Sequence, residues 1–217
     1  PVPMFATVSA SVLAFFGALA LGAVTLLVYR GILFPPEGIA LYPWASDTMG
    51  HVFKVEYLTQ ELGRGTRYPD LLPQWYMGFQ VMRYHPPLPY YLLVAVNAFL
   101  HNPVAAANWF IALCALAGGF SWLLYRRWVG WLPALVGGVL FTCLPDNVRV
   151  AVAEGNLPRV LATALLPLAV FFLLRSLEEY KKGGRKNAIM PGFVSTLSTA
   201  DLKEIANYYS RQRPALS

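Results

Sequence analysis

The chain has 217 residues, of which 57% are hydrophobic and only 13% charged, and its mean hydropathy is positive. A soluble domain of this length needs far more polar surface, so the composition excludes an ordinary water-dispersed enzyme and makes lipid the expected solvent. The net charge of +6 comes with no soluble basic face and no aromatic-basic interleaving, and it gives no support for a nucleic-acid partner.

From Met4 to Val28 there is no ionisable side chain, and the run exceeds the roughly 20 residues a helix needs to cross hydrocarbon. A spanning helix is predicted. The competing reading, a cleaved signal peptide, is opposed by the length of the run and by the lack of Lys or Arg before it. In the segment from Ser46 to Leu62, apolar residues recur at Val52, Val55, Leu58 and Leu62, a helical spacing that predicts an amphipathic helix lying on the membrane. Leu88 to Leu100 is apolar but too short to cross, and it follows His85-Pro86-Pro87. It is expected flat in the interface or as a re-entrant helix, with Tyr90 and Tyr91 at headgroup level.

Asn108 to Tyr125 and Trp128 to Leu144 read as a helical hairpin of two spans, the first closed by Arg126-Arg127 and the second by Pro145-Asp146. Val160 to Leu174 is a shorter fourth span that borrows from its approach, Asn156-Leu157-Pro158-Arg159. The fold class expected is therefore all-α, a polytopic transmembrane protein of about four spans plus interfacial helices over residues 1–175, with a large outer loop at 30–86. A short soluble helical tail occupies 176–217. Cys114 and Cys143 both fall inside spans, form no C-x-x-C pattern and read as buried structural thiols.

Arg126 and Arg127 mark one cytoplasmic turn, and Arg175, Lys181, Lys182, Arg185 and Lys186 mark another. The N-terminus is then cytoplasmic, and residues 29–85 and 145–159 share the outer face. Arg30, Lys54, Arg64, Arg67 and Arg83 sit in that loop against the bias, and charges kept there invite a functional explanation. Asp47, His51 and Lys54 are spaced by four and three, so they share one stripe of the loop helix. Two readings of Asp47 stand side by side. It, or Ser46, caps the helix, or its carboxylate serves as general base or as ligand of a divalent metal. His51 is either a helix-surface residue or a contact to a lipid phosphate.

The first span followed by Ser46-Asp47-Thr48-Met49-Gly50-His51, then Trp75-Tyr76-Met77-Gly78, then Tyr84-His85-Pro86-Pro87-Leu88, resembles the first outer loop of GT-C membrane glycosyltransferases. More closely the chain resembles the bacterial and archaeal membrane proteins labelled 6-pyruvoyl-tetrahydropterin-synthase-related, a likeness that Glu154-Gly155-Asn156-Leu157-Pro158-Arg159 strengthens and that covers about residues 10–178. It implies a partial glycosyltransferase of a prokaryotic inner membrane using a polyprenyl-phosphate sugar donor, since the family usually has more spans and a soluble outer domain. The acidic residue used early in that loop matches Asp47. Aminoarabinose transferases of this superfamily place a lipid-phosphate-binding Lys before Pro-Pro-Leu, where this chain has His85. His51, Arg83, His85, Glu154 and Arg159 are thus the candidates for lipid-phosphate or substrate binding, and a guanidinium matches phosphate geometry well. Arg159 also reads as a residue snorkelling at the membrane edge.

After Arg175 the composition turns polar, Gly183-Gly184 interrupts any helix, and Ser198-Thr199-Ala200-Asp201 opens an amphipathic helix with Leu202, Ile205, Ala206 and Tyr209 on one stripe. Tyr180 to Phe193 with Leu197 to Gln212 resembles the end of a class I cytochrome c, in which Met190 matches the axial haem ligand. The chain has no C-x-x-C-H, so haem c is implied only if another chain supplies it. That resemblance gives a second hypothesis, a non-catalytic membrane subunit of an electron-transfer assembly with a haem protein or other membrane subunits as partners. A loop and helix with no cytochrome ancestry is the third reading of the tail.

Overall fold

The computed structural model describes residues 4–36, 47–75 and 77–181, and positions 198, 200, 201, 204 and 207. Its described residues are helical apart from loops and an isolated antiparallel bridge between Leu72 and Phe79. In chain order the helices are α1 (Met4–Leu33), α2 (Thr48–Gly63), α3 (Val81–Tyr84), α4 (Pro87–Leu100), α5 (Pro103–Leu123), α6 (Arg126–Val129), α7 (Trp131–Cys143) and α8 (Pro145–Val148). A π-helical turn, Arg149–Glu154, and α9 (Leu157–Lys181) follow. Among the described residues three segments are long and apolar enough to cross a bilayer, Val12–Leu33, Pro103–Val129 and Leu157–Glu179, and a fourth crossing exists if the bent pair Trp131–Cys143 and Pro145–Glu154 counts as one. The protein is an all-α polytopic membrane protein, the form that satisfies every backbone N–H and C=O within the segment.

The middle span starts earlier than its apolar run. Asn102 caps α5, its side-chain oxygen accepting from the Val104 and Ala105 amides at 3.0 Å, and Pro103 occupies the first turn where no N–H is needed. This helix is the hub: 61% of its span is buried, against 22% for α1 and 17% for α9, whose large apolar side chains (Phe15, Phe16, Leu27, Leu166, Phe172) face outward as lipid requires. The expected hairpin of α5 and α7 is present, with α1 packed against both. A Cβ on Gly138 would lie 2.7 Å from the Gly119 carbonyl oxygen, and Leu21 of α1 covers both glycines. Aromatic rings seal the same seam, with Trp131 over Gly17, Phe141 over Gly118 and Trp122 over Gly137. Across to α9, the Tyr125 hydroxyl donates to the Pro167 carbonyl at 2.6 Å.

The structure corrects the sequence reading in three places. The apolar stripe of α2 does not lie on lipid. Val52, Val55 and Leu58 are buried against α4 and α5, which cover the face that the outer-loop sequence leaves without a partner. Tyr90, expected among lipid headgroups, is fully buried within the protein. The close of the second hairpin helix at Pro145 stands: α7 ends at Cys143, Leu144 is non-helical at φ −57° and ψ 121°, and beyond this break and a 40° bend α8 opens with Pro145 in its first turn. Cys143 is exposed on α7, whereas Cys114 is buried as expected.

By Cα packing the chain forms two compact units, residues 1–172 and 173–217. Within the second, Arg175 and Glu179 pair at 3.0 Å, and Ser198 and Asp201 exchange reciprocal side-chain to backbone bonds at 2.7 and 3.2 Å, the capping box that their spacing predicts. Met190, Leu202, Ile205, Ala206 and Tyr209 lie outside the described residues.

Gly138→Ala is expected to cost about 1–3 kcal/mol, because the added methyl meets backbone that cannot rotate away. Gly22→Ala, where nothing lies within 4 Å, is expected to be neutral. Thermal unfolding of the two variants in detergent checks the contrast.

Candidate functional site

Three segments distant in sequence meet beside the N-terminus of α2. The helix starts at Asp47, whose backbone amide donates to the Glu154 carbonyl at 3.3 Å and so fixes the start of α2 to the π turn. Asp47 makes no side-chain capping bond, which removes the capping reading of its carboxylate and leaves it exposed at the rim. One and two turns on, His51 and Lys54 point inward, 6% and 5% exposed. The third segment is the extended His85-Pro86 that precedes α4. Proline after His85 and at the helix start holds this stretch out of helix and delivers the imidazole to α2.

The resulting cleft has a volume of about 500 Å³ and is lined by Asp47, Met49, Gly50, His51, Lys54, Trp75, His85, Pro86, Asn156 and Pro158. Lys54 Nζ donates to His85 Nε2 at 3.0 Å and stands 5.2 Å from the Trp75 ring centre. Trp75 is itself fixed on α2, stacked on Phe53 and packed over Gly50. The His51 Nδ1 and Tyr90 hydroxyl share a 2.8 Å hydrogen bond beneath them. Burial is the largest influence on each of these groups. It lowers His51 to about 4, helped by the Lys54 charge and opposed by Asp47. It also lowers Lys54, against the attraction of Asp47, lowers His85 together with the Lys54 charge, and raises Tyr90. His51 is therefore a neutral imidazole at pH 7, suited to hydrogen bonding rather than to neutralising a phosphate.

The remaining candidates fall elsewhere. Arg159 is half exposed and engages Glu154 at 3.4 Å and Asp146 at 3.8 Å, while Arg149 binds Asp146 at 2.6 Å and also pairs with Glu154. This four-residue network adjoins the cleft through the Asp47–Glu154 backbone bond, and its two cations are matched by two carboxylates. Arg83 is exposed, bonds Gln80 at 3.2 Å and does not line the cleft. Among the described residues no three His, Cys, Asp or Glu side chains converge as metal ligands, and the Lys54 ammonium in the same cleft opposes a second cation, so the residues do not fit a metal at Asp47. Met190 lies outside the described residues, and no haem contact is drawn for it.

Lys54, Trp75, Tyr90 and Asn156 are the site residues that the sequence reading leaves out. Lys54 carried a signal, its spacing of three from His51 on one helix face. Nothing in the order of residues brings His85 to it across 31 positions.

Helices long and apolar enough to span a bilayer, joined by a segment that folds into a polar cleft, define a multi-pass membrane protein. Residues 82–200 match the family model described as the 6-pyruvoyl-tetrahydropterin synthase related domain, membrane protein, and the chain belongs to that family. No curated protein and no solved structure matches it.

The low value of His51 has a consequence for stability. A histidine whose folded value lies below its unfolded 6.5 binds fewer protons in the fold than in the unfolded chain, so stability rises with pH across that interval. It is fully present above about 6.5 and is lost as pH falls toward about 4, by on the order of 3 kcal/mol. The melting temperature is expected to drop over that window in wild type, and His51→Gln, which keeps a hydrogen-bonding partner for Tyr90 but cannot be protonated, is expected to flatten the drop.

Proposed function

We propose that this chain is part of a GT-C-like membrane glycosyltransferase that takes its sugar from a polyprenyl-phosphate carrier, working at the outer face of a prokaryotic inner membrane. The observation that carries this reading is the placement of two unlike cavities that share α9 and lie at successive positions along the chain at the start of α4. Beside the polar cleft lies an apolar groove of about 520 Å³ between α4, α5 and α9, lined by residues that include Leu92, Phe99, Trp109, Leu113, Leu161 and Leu165. Pro158 belongs to the cleft and Leu161 to the groove, so on α9 the two are three residues apart, about 4.5 Å along the helix. On α4 the groove begins at Leu92, shortly after the His85-Pro86 wall of the cleft. An amphiphile with a charged head and a long branched hydrocarbon tail matches that pairing, and a lipid-linked sugar phosphate is such a molecule.

In this reading Asp47 is the general base. Its carboxylate takes the proton of the acceptor hydroxyl as that oxygen forms a bond to the anomeric carbon. The bond from that carbon to the phosphate oxygen breaks, and the polyprenyl phosphate leaves with the electron pair as an anion. Asp47 stands exposed at the rim, where an incoming acceptor arrives, while the cation of the cleft lies at the floor, where the leaving phosphate would rest. Glu154 and Arg159 act on the site through the α2 start they help to fix, and Arg83 has no part in it.

Asp47→Asn is expected to lower transfer from a polyprenyl-phosphate sugar by roughly a hundredfold or more, the usual worth of a positioned base, with little change in melting temperature. Transfer by the Asn variant at the wild-type rate, measured with the full chain in lipid, would remove the base from the mechanism.

A further inference from the structure

Lys54 is unusual for an outer-loop lysine. Such side chains ordinarily stretch to water, yet this one is 5% exposed, and burying an ammonium away from a counter-charge is costly. Among the described residues no carboxylate comes within 4.0 Å of Nζ, and Asp47 acts on it only from further off. Its neighbours are weak substitutes for a counter-ion: a neutral imidazole nitrogen at 3.0 Å and the face of an indole at 5.2 Å. An ammonium has three N–H donors, and these two contacts leave capacity directed at the cleft that Lys54 lines. His85 is short of partners too. With Nε2 accepting from Lys54, its proton sits on Nδ1, which is buried and has no hydrogen-bond partner. Among the described lining residues Lys54 is the one Lys or Arg, and the nearby guanidinium groups of Arg149 and Arg159 are already matched by Asp146 and Glu154.

We propose that Lys54 is the residue that binds the phosphate of a lipid monophosphate in this cleft, held in place by His85 and Trp75. The proposal rests on the amphiphile reading given above and makes it specific: the charge that recognises the ligand comes from α2, not from the arginines and not from His85 itself. His85 acts as a positioning residue. Its Nε2 anchors the ammonium at the floor, and the flat Trp75 face steadies the charge without neutralising it, so the positive charge stays available to an anion. The neutral His51–Tyr90 pair below adds no competing charge. Asp47 at the rim sets a negative charge at the mouth, which orients an amphiphile with its phosphate inward and leaves room at the rim for an uncharged acceptor. A compact, strongly hydrated ammonium also suits a phosphate monoester, which has several equivalent oxygens and no need of a planar fork.

The test uses the full chain in detergent micelles and three probes: a short polyprenyl monophosphate, the matching polyprenol and inorganic phosphate, each titrated by calorimetry. Wild type is expected to bind the monophosphate about tenfold or more tightly than the polyprenol, with inorganic phosphate far weaker than either. Lys54→Met is expected to bring the first two affinities together while leaving the polyprenol affinity unchanged, and Lys54→Arg to restore part of the preference. Because removal of a buried cation can disturb α2, Lys54→Gln is run in parallel, and the polyprenol affinity, which does not use the charge, reports whether the groove is intact. A tenfold preference that survives in Lys54→Met and Lys54→Gln overturns the proposal, as does its loss in Arg159→Gln but not in the lysine variants. Inorganic phosphate binding as tightly as the lipid monophosphate overturns the lipid as the ligand. The transferase reading fails separately: a Lys54-dependent phosphate preference together with an inert Asp47→Asn substitution leaves the anion site standing without the transfer chemistry.

Discussion

The close approach of α5 and α7 at Gly119 and Gly138 is the contact on which the other packing depends. Inside a bilayer, helices gain nothing from leaving water, so they associate by fit, and the absence of Cβ atoms at this crossing is what lets two backbones meet. Leu21 then lies over both glycines and locates α1. With the three helices fixed, α5 also packs against α2 and α4. The Asn108 side chain donates to the Ile32 carbonyl at 2.9 Å, tying the end of α1 to the same surface. The elements that form the cleft thus rest on α5, the most buried of the three long spans among the described residues, although none of the residues lining the cleft belongs to it.

A second layer of the design is the contrast between matched and unmatched charge. Arg149, Arg159, Asp146 and Glu154 form an exposed network whose pairs, in contact with water, contribute little to stability. Lys54 is buried with an imidazole and an indole in place of a carboxylate. Burial without a matching anion costs stability that a methionine at the same place would not, so the lysine is better explained by a ligand than by the fold.

Much of the fold was legible because lipid imposes simple demands. The uncharged run of α1, the apolar length of α5 and the Arg-marked turn after it each follow from hydropathy alone. α5 starts five residues before the apolar run that predicts it, since Asn102-Pro103 is a local capping signal that hydropathy does not register. The stripe of Asp47, His51 and Lys54 was visible from spacing, but which way it faced was not. Amphipathic helices on a membrane and against protein have the same periodicity, and only the tertiary placement of α4 decides between them. His85 stands out in the sequence by its place before Pro-Pro-Leu and Lys54 by its place on the stripe, but nothing in either signal says that the two side chains meet at 3.0 Å.

The hydrogen bond from the Asp47 amide to the Glu154 carbonyl ties the rim of the cleft to helical register. A π turn holds one residue more than an α turn in the same length, and such turns relax to α by passing that residue along the chain. Were Arg149–Glu154 to tighten in this way, each residue after it would swing round the axis by about 100°, carrying the Glu154 carbonyl away from Asp47. Gly155, left-handed at φ 67, and Asn156 behind it sit where such a rotation would be absorbed. The seat of the Asp47 amide and the winding of the chain at Arg149 to Glu154 are in this sense a single mechanical variable.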